Sequence, residues 1–236
     1  MVQISNNPSY SVIRIKFKKT GDLQYISHLD LVRTMHKIIV RANLPLWYTE
    51  GFNPKPKMVF AAPLSIGAES LCEFMDLRVT EQISPDEVKD RLNANMTHEM
   101  QVIEAYEPTS KFQDIAWARY QMKLSFAGAD ESTAAQLQDL FTTSPLTMLK
   151  KSKSGEREID LIPMIKKIKV TCNPDRPEQL HISAILAASG SEYLNPEMLI
   201  SAAKRECGIL GGDPANEEYT ILRTHVYHAD GVSEFR

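Results

Sequence analysis

Ser11-Val-Ile-Arg-Ile-Lys-Phe-Lys18 is the stretch from which the fold is read. From Ile13 onward apolar and basic side chains alternate at each step, the period of a strand whose two faces differ. Ile13, Ile15 and Phe17 are expected to face a core, and Arg14, Lys16 and Lys18 to share the opposite face. A turn follows at Thr20-Gly21-Asp22. Ser27-His28-Leu29-Asp30 then opens a helix, with Ser27 as N-cap and Asp30 in the capping-box position. Leu31, Val32, Met35, Ile38, Ile39 and Ala42 form its apolar arc, and the helix is expected to run to about Asn43, where Pro45 stops it.

Working outward, short extended pieces are expected at 46–49 and 58–62, and a longer strand at 73–80 with Met75, Leu77 and Val79 inward. Ser84-Pro85-Asp86-Glu87 starts a second helix, and a strand over 100–106 closes the half. The order is strand, helix, strand, strand, helix, strand. The second half repeats it: a strand over 119–126, a helix over 132–143, extended pieces at 146–150, 159–161 and 166–172, a strand over 180–187, a helix from Asn195-Pro196-Glu197 to Gly208, and a strand over 218–227. A polar hairpin tip falls near Ser154-Gly155, and a polar stretch over 108–117 separates the halves. The expected fold is therefore α+β, a tandem of ferredoxin-like βαββαβ units with antiparallel sheets, the first over 1–112 and the second over 113–236.

At 236 residues, 43% hydrophobic and 24% charged, the composition is that of a folded chain rather than a disordered one. No apolar run reaches the roughly 18 residues of a membrane span, and Met1 to Tyr10 lacks the apolar centre of a signal peptide. Cys72, Cys172 and Cys207 are scattered, which argues against a disulfide framework, a structural zinc site or an iron–sulfur cluster. A cytoplasmic setting is expected, with no membrane partner and no metal or cofactor in this chain. The net charge of −3 conceals a polarised map. Through Ala68, nine Lys and Arg residues stand against Asp22, Asp30 and Glu50, whereas from Glu69 to Ala118 eleven acidic residues face four basic ones. Such polarity points to one surface that meets an anion.

Four blocks carry a family resemblance: Leu-Gln-Tyr-Ile-Ser-His-Leu-Asp-Leu-Val-Arg-Thr (residues 23–34), Arg-Ala-Asn-Leu-Pro-Leu-Trp-Tyr-Thr-Glu-Gly-Phe-Asn-Pro-Lys-Pro-Lys (41–57), Pro-Leu-Ser-Ile-Gly-Ala-Glu-Ser (63–70) and Glu-Phe-Met-Asp-Leu (73–77). They resemble the radical-SAM-linked domain of unknown function, a bacterial domain encoded beside or fused to a radical SAM protein with a cobalamin-binding-type region. The resemblance implies a radical SAM protein as partner and a bacterial cytoplasm, and supplies no reaction. Family members often carry His between the two prolines of the Gly-Phe-Asn-Pro block. This chain has Lys55 there, so a role needing imidazole does not transfer.

Three elements are candidates for binding RNA or a nucleotide-like anion. The first is the helix stripe of Arg33, Lys37 and Arg41 with its Ser27 cap, which is a phosphate-binding stripe or a solvated face. The second is the loop from Glu50 to Lys57. Gly51 lets it turn, Pro54 and Pro56 stiffen it, and Asn53, Lys55 and Lys57 offer polar contacts. Phe52 there is either a stacking surface or a plug in the core. The third is the strand face of Arg14, Lys16 and Lys18, unless Asp76 pairs with Arg14 or Lys16 in a buried bridge between domains. His28, Asp30 and Glu50 are the catalytic candidates of an alternative, an RNA-processing or RNA-modifying enzyme with a cleft around His28 and Glu50, although His28 is expected to be a packed, hydrogen-bonded histidine. The basic run from Lys150 to Lys169 reads as a solvated charge run or as a hairpin touching phosphates. A pure protein-interaction module is the remaining alternative.

Overall fold

The computed structural model describes residues 10–143, 145–152, 155–212 and 217–236. The chain is an α+β protein, with four α-helices among the described residues. It divides into two compact units, Met1–Lys111 with Arg236, and Phe112–Phe235.

The first unit runs β1 (Ser11–Lys19), α1 (His28–Arg41), β2 (Met58–Phe60), β3 (Ala68–Val79), α2 (Pro85–Asn93) and β4 (Val102–Tyr106). Its strands lie in the order β4-β1-β3-β2, each pair antiparallel. The alternation of β1 puts Ile13, Ile15 and Phe17 into the core beside Met75, Leu77 and Val79 of β3. Leu31, Met35, Ile38 and Ile39 of α1 and Val88 and Leu92 of α2 cover them. Each of these aliphatic side chains contributes roughly 1.5–3 kcal/mol by leaving water. Both helices start where their capping residues stand. The Ser27 and Ser84 hydroxyl oxygens accept the N–H of Asp30 and of Glu87, each at 3.1 Å.

Three local departures have physical causes. Helix α1 stops at Arg41 because Ala42 closes it onto Ile38 and Asn43 adopts a left-handed φ of 49°, ahead of Pro45. The turn at 20–22 is a 3-10 turn over Gly21–Tyr25. The expected strand at 46–49 forms only the isolated bridges Leu46↔Val79 and Tyr48↔Pro56.

The second unit runs β5 (Trp117–Ser125), α3 (Glu131–Leu140), β6 (Thr147–Ser152), β7 (Gly155–Asp160), β8 (Ile165–Asn173), β9 (Arg176–Ala187), α4 (Glu197–Cys207) and β10 (Glu218–Tyr227). The order β10-β5-β9-β8 is antiparallel throughout and matches the first unit once the separate β6–β7 ribbon is set aside. The ribbon is tied at its base. Asp160 Oδ1 accepts the N–H groups of Leu146 and Ile162 at 2.9 and 3.1 Å, and Leu161 N–H bonds Leu146 O at 3.0 Å. Lys153 and Ser154 of the expected hairpin tip lie outside the described residues. Helix α3 begins at an Asp130 cap rather than at Ser132. Gly208 ends α4 at a φ of 66°, a conformation in which a Cβ is strained. Tyr120, Met122 and Leu124 of β5 point into the core with Leu180, Ile182 and Leu186 of β9. Among the described residues no helix is long and apolar enough to cross a membrane.

Candidate functional site

Arg14, Lys16 and Lys18 of the first-strand face differ in exposure. Arg14 is 1% exposed, and Asp76 stands directly opposite it on β3. Arg14 Nε and Nη2 reach the two Asp76 carboxylate oxygens at 2.7 and 2.9 Å. Its Nη1 donates to Ser110 Oγ at 3.0 Å and to the Arg236 carbonyl at 3.1 Å, and Nη2 to the Ser110 carbonyl at 3.1 Å. The guanidinium is thus enclosed and hydrogen-bonded rather than presented to an anion. Both members of the ion pair belong to the first unit, so it is not a bridge between domains. Lys16 is half-buried, with Phe74 on one side and Glu104 on the other as strand partners. Lys18 is also half-buried. Tyr106, opposite Arg14 on β4, has its phenol pushed up to about 12 by burial, while the Arg14 charge acts in the other direction.

On α1, Arg33, Lys37 and Arg41 are all exposed. The Ser27 hydroxyl donates to Asp30 Oδ2 at 2.7 Å, and Arg33 Nη1 meets Oδ1 at 3.2 Å. These contacts, the Ser27 hydrogen bond foremost, hold the Asp30 carboxyl below its ordinary value. The Asp30–Arg33 pair is solvent-exposed and weak, which leaves Arg33 able to exchange partners. His28 is exposed, not packed. Its first-turn position sets the ring edge-on to Phe60 of β2, with centroids 5.5 Å apart. Glu50 is exposed as well. Among the described residues no hydrogen bond joins His28 to Asp30 or Glu50.

The 50–57 loop is the tip of a hydrogen-bonded hairpin. Lys57 N–H bonds Trp47 O at 2.8 Å, Thr49 N–H bonds Lys55 O at 2.8 Å, and Lys55 N–H bonds Thr49 Oγ1 at 3.0 Å. Gly51 turns the tip at a φ of 120°, where any side chain is strained. Phe52 projects fully into solvent and plugs no core. Asn53 and Lys55 are exposed beside it. At the hairpin base the rings of Trp47 and Tyr10 stack in parallel at 5.4 Å. The Arg78 guanidinium lies 5.0 Å from the Trp47 ring and 4.6 Å from that of Tyr10, and Lys57 Nζ lies 5.8 Å from Trp47. Lys57 therefore has a positioning partner within the hairpin. Arg78 was expected to share the face of Arg14, whereas Tyr10 and Trp47 escaped the sequence reading because chain pairing, not local periodicity, brings them to it. Trp47 N–H bonds Arg78 O at 2.9 Å.

Residues 12–196 match the sequence pattern of a family described as "Uncharacterized protein conserved in bacteria (DUF2344)". No curated protein matches. Among solved structures, the chain is similar at 11% identity to one in a Cbf5-Nop10-Gar1 complex, over 91% of this chain and 48% of that one, with a TM-score of 0.47. It thus spans about half the length of that protein. It is similar at 10% identity to a putative monooxygenase from Lactobacillus acidophilus NCFM, over 95% and 98% of the two chains, with a TM-score of 0.27. Likeness at these levels carries no functional argument.

Proposed function

We propose that this chain, which belongs to the DUF2344 family of uncharacterized proteins conserved in bacteria, is an accessory RNA-binding protein of the bacterial cytoplasm that works with a radical SAM enzyme. Both units are read as ferredoxin-like. The strand orders β4-β1-β3-β2 and β10-β5-β9-β8, with a helix after the first and third sheet strands of each, support that reading. The radical SAM partner rests on the resemblance of the 23–77 blocks. In this reading the partner holds the cofactor and performs the redox chemistry, and this chain holds RNA or a nucleotide-like anion.

The observation that carries the RNA reading is Phe52. A phenyl ring left fully in water forgoes roughly 1.5–3 kcal/mol of burial. Here it stands on a hairpin that hydrogen bonds and two prolines keep in shape, beside Asn53 and Lys55. A rigid exposed ring next to cations and an amide suits a splayed base, and such stacking is worth about 1–3 kcal/mol per base. Arg33, Lys37 and Arg41 supply charge for phosphates along α1. Arg14 takes no part, because its donors are already engaged.

Fluorescence anisotropy of a labelled single-stranded RNA at graded salt tests this. Phe52→Ala is expected to weaken binding about 5- to 100-fold. The folded Arg33→Ala, Lys37→Ala, Arg41→Ala triple variant is expected to lose affinity and flatten the salt dependence by about 2 in log–log slope. Wild-type affinity in both variants would sink the proposed surface.

A further inference from the structure

Each sheet has a face turned away from its helices, and that of the second unit has an unusual charge pattern. Arg119, Gln121 and Lys123 alternate with the buried Tyr120, Met122 and Leu124 along β5. Strand registers then fix their neighbours. Lys123 stands opposite His181, Gln121 opposite Ser183, and Arg119 opposite Ile185 on β9. One strand further, Lys169 lies opposite Ser183 and Lys167 opposite Ile185 on β8. Three consecutive cross-strand rows therefore carry four permanent cations on one face. None of β5, β9 or β8 contributes a carboxylate to these rows. Lys123, Lys167 and Lys169 are exposed, and among the described residues none has an ion-pair partner. Gln121 Nε2 donates to Ser183 Oγ at 3.0 Å, a neutral polar centre between the cations. Arg119 lies over the Tyr227 ring at 5.4 Å. Glu218 stands beside Ser125 at one end of this face, and Glu234 lies 3.4 Å from His225 at the other.

We infer that this open sheet face of the second unit is a phosphate-binding platform for single-stranded RNA, separate from the N-terminal surface proposed above. Same-face neighbours on one strand are about 6.7 Å apart, and β5 and β8, two strands apart, are separated by about 10 Å. Lys167 and Lys169 thus match successive phosphates of an extended strand, while Lys123 and Arg119 track a second line across the sheet. A solvated face would mix signs, because unpaired like charges on neighbouring strands repel one another. Here the repulsion is left standing over three rows, which an anionic backbone with released counterions relieves. Lys167 and Lys169 also sit on an edge strand, where lysine guards against strand-to-strand association, so the experiment must separate the two roles.

The experiment uses the full chain, a labelled uridine 20-mer and a polyglutamate competitor. The Lys123→Gln, Lys167→Gln, Lys169→Gln variant alters exposed side chains only and is expected to keep the wild-type unfolding midpoint. It is expected to bind RNA at least tenfold more weakly, with a log–log salt slope lower by about 2. Loss of binding in this variant but not in the α1 triple variant supports the platform alone. Loss in the α1 variant alone overturns the platform and keeps the N-terminal surface. No RNA binding by the wild type overturns both. Self-association of the variant with unchanged RNA affinity assigns the lysines to edge protection and overturns the inference. Tighter binding of polyglutamate than of RNA assigns the face to an acidic protein and does the same.

Discussion

The two units share a strand order and treat the cations on the sheet faces turned away from their helices in opposite ways. In the first unit Arg14 is buried, holds Asp76 with two hydrogen bonds and fills its remaining donors with Ser110 and Arg236. Lys16 has Glu104 as a strand neighbour, and Glu104 in turn meets Arg236 at 2.9 Å. In the second unit Lys123, Lys167 and Lys169 have no such partner among the described residues. The first face thus uses its charge internally, for shape, and the second leaves its charge available. Basic composition alone therefore says little about where an anion binds. The count that matters is of cations left over after pairing.

The largest expected effect breaks the pairing in the first unit. Asp76→Ala leaves a buried guanidinium without its carboxylate and should cost about 3 kcal/mol in urea unfolding. The Arg14→Met, Asp76→Leu double variant should return close to wild type, since a buried pair replaced by apolar side chains is often neutral. A cost below about 1 kcal/mol for Asp76→Ala would mean that the pair does not organise this face. Next in size, Ser27→Ala should cost about 1 kcal/mol by removing the cap of α1. It should also let the Asp30 carboxyl rise toward its ordinary value, visible by NMR titration, because the Ser27 hydroxyl is the main cause of its lowering. Smaller still, the three-lysine glutamine variant of the second unit should change stability by no more than about 0.5 kcal/mol. A larger loss would show that those lysines hold structure after all and would erase the contrast.

The smallest effect is one of pH. Asp230 is held at about 2 from an ordinary 3.8, first by the Ser233 hydroxyl and then by the Val232 and Ser233 N–H groups. A depressed carboxyl contributes stability above its unfolded value, and that contribution fades as pH falls from about 4 through about 2. Acid unfolding of Asp230→Asn should therefore be less steep than wild type within that window.

Much of the architecture was legible because the period-2 alternation at 11–18 and 119–126 and the caps at Ser27 and Ser84 are local signals. The buried positions Ile13, Ile15, Phe17, Met122 and Leu124 follow from them directly. The same alternation left Arg14 open between an anion-binding cation and the partner of Asp76 that it is. It assigns a face, and only the cross-strand partner decides whether that face is wet. His28 misled for a related reason, since its place near the apolar arc left unknown how far the first turn projects beyond β2. Phe52 was undecidable in sequence because burial of a loop ring depends on where the hairpin points. The proposed platform was legible only in part. Lys167 and Lys169 stand in the basic run, but Lys123 is 46 residues from Lys169 and comes near it only through β9, and Lys166 lies over the Trp117 ring.

At the base of the β6–β7 ribbon Asp160 grips the main chain on both sides, and Arg205 Nη2 holds the Thr147 carbonyl at 2.7 Å. A reporter domain spliced into the ribbon, with Leu146, Asp160 and Leu161 kept so that this tie stays closed, is therefore expected to serve as a handle for imaging or capturing the protein.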